Sequence, residues 1–236
     1  MFTEWPPAYS IRISTRARYV QLRITKFRGL EIISPHQYNS EDALHLLSRH
    51  RQWIERVWMR TQPITADQRQ LPEEIALTAI GQHWQICYEP TESDQVFLRV
   101  IAPGQLLLQG KVTDYKKCQK VLCNWLRKIA AETLLPWLKE LSVETNLTYA
   151  QGRISSAATR WGSCSAKKNI SLNFHLLFLP KDLTRHVLIH ELCHTIVLDH
   201  SIRFWRLLGE LDSNSEVLRQ DLKKAQKYLP NWVMEE

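Results

Sequence analysis

The stretch HELCHTIVLDHSIRFW, residues 190–205, gathers the side chains best suited to chemistry: His190, Glu191, His194 and His200. On an α-helix, positions four apart differ by about 40° and rise about 6 Å, so His190 and His194 can face one ion. Glu191 lies beside them. Neutral imidazole is the usual zinc ligand at neutral pH. A carboxylate next to the metal but not bound to it can take a proton from a metal-activated water, which is the physical content of H-E-x-x-H. The bland alternative is a helix whose histidines are satisfied by neighbours. In a chain of this composition the pattern arises by chance with a probability of roughly 0.02, so the surroundings must decide. They are strongly apolar (VLIHELCHTIVL). Two histidines and a glutamate within a buried helix are costly unless something compensates them, and a metal does so.

His200 adds a third donor. Six residues of further helix would turn it about 240° away from His194, so the spacing predicts a helix that stops just after Leu198. Asp199 belongs to the few residue types that tolerate left-handed backbone and can make that stop. Ser201 then suits the N-cap of a next helix, IRFWRLLGEL. Three histidines leave a fourth position open, the catalytic arrangement of zinc. Glu210 and Glu216 are rival third ligands. Three histidines also accept other divalent ions.

These residues must be positioned by a sizeable fold. The chain has 236 residues, 44% hydrophobic and 23% charged, with nine tryptophans. That composition fits a folded globular protein of one or two domains. No apolar run is long enough to cross a bilayer, and the N-terminus lacks the pattern of a signal peptide. Five cysteines without C-x-x-C spacing point to reduced thiols, and the expectation is a cytoplasmic protein. A net charge of +7 permits nucleic-acid contact without requiring it.

The alternation of residues 19–25 predicts a strand, a turn at 26–29 and a returning strand. One amphipathic helix follows from Ser40 to near Arg60. The residues from Pro63 to Pro72 read as a connector. Two hairpins come next, turning at Gly81-Gln82 and at Pro103-Gly104. Asp114 starts a long helix that Pro136 should kink or split. GRISSAATRWGSCS, residues 152–165, reads as a strand leading into a tight turn, with Gly162 supplying the turn and Trp161 packing. NISLNF is a short strand, and Pro180 and Asp182 open the helix bearing the histidines. The fold class is α+β: an N-terminal β-rich region over residues 1–112, then a catalytic region over 113–236 with a small mixed sheet packed on helices.

TRWGSCSAKKNISLNFHLLFLP, followed by HELCH and DHSIRFW, resembles the YgjP-like metallohydrolases, which are zincins related more distantly to the SprT-like proteases. The resemblance spans roughly residues 10–225. It implies His190, His194 and His200 as ligands of one zinc ion per chain, Glu191 as general base and acid, and an edge strand beside the cleft. The family usually carries Asn before the third histidine, where this chain has Asp199. The aspartate can still make the turn, adds negative charge, and can orient a ligand histidine.

The remaining candidates have plainer readings beside the functional ones. Arg160 and Trp161 can line the cleft, with Arg160 meeting an anionic substrate group or an oxyanion. Asn173 can cap an element or hold a substrate backbone. Cys193 reads as a small hydrophobe, and Phe204 and Trp205 as anchors of the second helix on the first. Arg12, Arg16, Arg18, Arg23, Lys26 and Arg28 read as a solvated sheet face, with anionic-partner binding as the alternative. The expected activity is zinc-dependent hydrolysis, foremost of a peptide or protein substrate, using zinc-bound water and a glutamate base. Hydrolysis of a nucleotide phosphoanhydride, and a nucleic-acid-binding module with a structural metal, are the alternatives. No membrane partner is expected.

Overall fold

The computed structural model describes residues 5–26, 28–35, 37–63, 70–157 and 160–234. They form six α-helices and ten strands in three mixed sheets, an α+β fold. No helix among the described residues is long and apolar enough to cross a membrane. Contacts divide the chain into two compact units, residues 1–70 and 71–234. The sheet before residue 112 and the helices after it share one core, where Leu77, Leu106 and Leu108 lie with Leu122, Leu126 and Leu134. Within the connector expected over 63–72, residues 64–69 lie outside the described residues.

The first unit is a sheet of β1 (Tyr9–Ile13), β2 (Gln21–Thr25) and β3 (Gly29–Ser34), followed by α1 (Ser40–Arg49) and α2 (Arg51–Thr61). The middle strand is β3, parallel to β1 and antiparallel to β2. Phe27, in the expected turn, lies outside the described residues. Leu30 and Ile32 pack against Ala43, Leu47 and Ile54. The single helix expected here is two. Its N-cap is Asn39, whose side chain accepts from the Asp42 amide at 2.6 Å, and it breaks at His50 (φ −105°, ψ 15°). Residues 48–53 are all exposed, so no packing holds that turn helical, and helices depend mostly on such packing.

The second unit opens with β4 (Glu74–Leu77), β5 (Gln82–Pro90), β6 (Val96–Ala102) and β7 (Gln105–Gly110), in the order β4-β5-β7-β6. Both expected hairpins form. α3 (Tyr115–Glu144) is capped by Asp114, whose carboxylate accepts from the Lys117 amide at 3.0 Å. It is not split at Pro136. An interior proline costs about 3 kcal/mol, but buried Leu134, Leu138 and Leu141 hold the helix across it.

The last sheet is β8 (Gln151–Ser155), β9 (Gly162–Cys164) and β10 (Asn169–Asn173). β10 is the middle strand, parallel to β8 and antiparallel to β9. Residues paired across strands share a face. Ile154, Leu172 and Gly162 therefore lie on one face, and Arg153, Ser171 and Ser163 on the other. The turn expected at Trp161–Cys164 is instead strand from Gly162 onward. The chain reverses later, where Lys168 takes a left-handed backbone (φ 59°) and donates its amide to Ser165 O at 2.8 Å. A 3-10 turn (Phe174–Phe178) leads into α4 (Lys181–Cys193), and α5 (Ile202–Leu211) and α6 (Ser215–Leu222) follow.

Candidate metal centre

α4 is buried along most of its surface, including Val187, Leu188, Ile189, Leu192 and Cys193. Its last turn carries His190 and Glu191, and His194 is its C-cap. The helix thus ends earlier than the stop expected after Leu198. The amides of Ile196 and Val197 both bond back to Cys193 O at 3.0 Å, closing the end before Asp199 is reached. Asp199 is not among the described residues with left-handed backbone. Its carboxylate accepts the Ser201 amide at 3.2 Å, and the Ser201 hydroxyl, with that amide second, holds it below the usual carboxylate range. Ser201 occupies the N-cap position of α5 with no side-chain capping bond.

The early stop frees the chain to bring His200 back. The Nε2 atoms of His190, His194 and His200 form a triangle with edges of 3.2, 3.2 and 3.1 Å. Among the described residues these three are the group able to hold a metal ion. Glu210 is paired with Arg206 at 3.1 Å and Glu216 with Arg219 at 3.4 Å, so neither rival joins them.

Two nitrogens on a tetrahedral zinc, each about 2.0–2.1 Å from it, stand about 3.3–3.4 Å apart. The observed triangle is close to that spacing. His194 Nδ1 lies 2.9 Å from Val197 O. A carbonyl only accepts, so Nδ1 carries the hydrogen and Nε2 keeps its lone pair for a cation. Burial, with the neighbouring imidazoles, pushes His190 down to about 3. Burial also lowers His194. Both are therefore neutral near pH 7, the state a metal requires. The donor set fits a borderline divalent ion such as zinc.

α5 supplies the floor. Phe204 is fully buried and stacks on His194 (centroids 4.5 Å, 26°), with His190 at 4.8 Å and His200 at 4.9 Å. Trp205 stacks on His200 at 5.4 Å, and Arg219 covers its ring at 3.9 Å. The anchoring role expected of both aromatics is thus exerted through the histidines themselves. His186, one turn before His190, meets the Asp212 carboxylate at 2.7 Å, both side chains buried. This bond ties α4 to the end of α5. The H-x-x-x-H-E-x-x-H spacing was visible in the sequence; the partner Asp212 was not.

Glu191 is 5% exposed, and its Oε2 has no hydrogen-bond partner. Burial raises its pKa to about 8. It rests on Gly162, where an added Cβ would stand 2.6 Å from Oε1 and 2.7 Å from Cγ. Gly162 has no left-handed backbone; it is needed for space, a contact between distant residues that local spacing cannot reveal. Trp161 is half-buried against the main core. Asn173 caps: its Oδ1 accepts the His175 amide at 3.0 Å, and its Nδ2 donates to Ala157 O (2.7 Å) and Arg160 O (2.9 Å). Arg160 lines the opposite, Ser163 face of the last sheet. Cys193 is a fully buried hydrophobe.

A family model described as YgjP-like, metallopeptidase domain, matches residues 18–225, most of the chain. No curated protein and no solved structure matches.

Proposed function

This chain belongs to the YgjP-like family, and on that premise we propose that it is a zinc-dependent peptidase. His190, His194 and His200 hold the ion, and Glu191 is the general base and acid. The observation that carries the reading is the triangle of three Nε2 atoms, 3.1–3.2 Å on a side, with the residue after His190 a buried glutamate that has an unpartnered oxygen.

Bound zinc supplies Lewis acidity, which makes a water acidic enough to attack near neutral pH and draws electron density from a carbonyl. The chain's own residues do the rest. The Val197 carbonyl fixes the tautomer of His194, and Phe204 and Trp205 fix ring orientation. Glu191 takes the proton of the attacking water on Oε2 and passes it to the leaving amine. Its buried carboxyl titrates high without a cation, and a cation beside it favours the ionised, basic form. β9 ends its sheet, and an extended peptide can pair with such an edge.

Two assays on the wild-type, zinc-loaded chain separate this from phosphoanhydride hydrolysis: digestion of a peptide library, and phosphate release from nucleoside triphosphates. Peptide cleavage is expected. Phosphate release without cleavage contradicts the reading.

A further inference from the structure

We propose that the Ser163 face of the last sheet is an oxyanion site that takes an acidic side chain of an extended peptide lying along β9; this rests on the peptidase reading above. A cavity of about 410 Å³ opens there, lined by Arg153, Arg160, Ser163, Ser165, Asn169 and Ser171 among others. A neighbouring cavity of about 330 Å³ shares both arginines. Neither lining holds a carboxylate. Arg153 and Arg160 form no ion pair among the described residues. Two guanidinium groups over hydroxyls, with no acid to neutralise them, suit an anion.

The arginines are held in place. Arg153 Nε donates to Ser171 Oγ at 2.6 Å, and Ser171 is 8% exposed in the middle strand. The Asn173 amide clamps the carbonyls of Ala157 and Arg160, fixing the backbone from which Arg160 departs. The lining offers no aromatic or branched aliphatic wall, so its recognition rests on charge and hydrogen bonds, and the bound group is the anion itself.

β9 links this face to the metal centre. Gly162 touches Glu191 on one face, and Ser163 lines the cavity on the other. Side chains of an extended chain alternate between faces. A peptide paired with β9 that presents one residue toward Glu191 therefore presents its neighbour toward Arg153 and Arg160. The site selects Asp, Glu or a phosphorylated residue next to the residue facing the metal.

The test uses the zinc-loaded Glu191→Gln chain, which retains bound peptide, and fluorescent heptapeptides carrying one Asp, Glu or phosphoserine against their Asn, Gln or Ser counterparts. Acidic peptides should bind about tenfold more tightly, the scale of one or two charge-assisted contacts. Combined Arg153→Gln and Arg160→Gln should erase that gap and leave neutral peptides unchanged. On the unsubstituted arginines, inorganic phosphate should compete with acidic peptides only. Equal binding of both sets, or a gap that survives the double substitution, overturns the site. An oligonucleotide that outcompetes the acidic peptides through these arginines assigns the face to nucleic acid and overturns it too. If acidic peptides bind selectively but the wild type cleaves none, the anion site stands and the peptidase reading falls. If acidic and neutral peptides bind and are cleaved alike, the reverse holds.

Discussion

The sheets β1-β3-β2 and β8-β10-β9 share one topology: the first strand parallel to the third, the second antiparallel to it, the third in the middle. Both middle strands are apolar on one face, through Leu30 and Ile32 in one sheet and Ile170 and Leu172 in the other. They differ in what is left unmet. In the first sheet the buried carboxylate Glu31, 4% exposed, has two arginines beside it, Arg12 and Arg28, each at 3.8 Å, although its Oε2 accepts no hydrogen bond. In the second, Ser171 holds Arg153, and no acid pairs with it among the described residues. The first sheet packs Ala43, Leu47 and Ile54. The second faces Glu191, whose oxygen is unpartnered. The frame is common; arginines answer the buried carboxylate of the first sheet, and no cation stands in an ion pair with Glu191 among the described residues.

Substitutions in corresponding places should therefore have different kinds of effect. The largest contrast is between buried helix residues. His194→Ala should abolish stoichiometric zinc binding, read by metal analysis. Leu47→Ala should cost about 2–5 kcal/mol of stability, read by denaturant unfolding, and leave zinc content unchanged. Next come the glycines. Gly162→Ala drives a Cβ into the Glu191 carboxylate, and displacement of a catalytic group by about 1 Å costs about a hundredfold in turnover; zinc content should hold. Gly29, at φ 63°, serves a turn. Gly29→Ala should cost about 1 kcal/mol and leave turnover intact. If both alanine variants turn over alike, the contrast between the sheets collapses.

The last contrast is a pH response at the second unit's site. In the metal-free chain Glu191 is raised from 4.5 to about 8, so the folded state holds a proton that the unfolded state has released. That makes stability fall as pH rises from 4.5 to 8. His190, lowered from 6.5 to about 3, acts oppositely and only below 6.5. Between pH 6.5 and 8 the Glu191 slope stands unopposed by His190. The metal-free Tm should therefore decline over that interval, and Glu191→Gln should flatten the decline.

Much of this was legible in the sequence, and the limits have physical causes. His190, His194 and His200 came from helical spacing and from the need for a break before the third histidine. The position of that break was not legible: hydrogen bonds to Cys193 O end α4 at His194, and Asp199 has no left-handed backbone. Hairpins were readable because their turns are local, at Gly81 and Gly104. β8 was readable as a strand, but β1 and the parallel pairing of β1 with β3 and of β8 with β10 were not, because parallel pairing joins segments that no short turn connects. Gly162 looked like a turn glycine, and only its contact with Glu191 shows why a side chain is excluded. The break at His50 and the continuity of α3 through Pro136 both follow from packing, which propensity alone does not report.

The central claim is that three imidazoles hold the ion while Glu191, outside that set, moves the proton. One preparation of Glu191→Gln tests it, with zinc content and peptide hydrolysis measured on the same sample beside wild type. The account predicts one zinc per chain in both proteins and hydrolysis lowered at least about a thousandfold in the variant. Hydrolysis near the wild-type rate with zinc in place would contradict it.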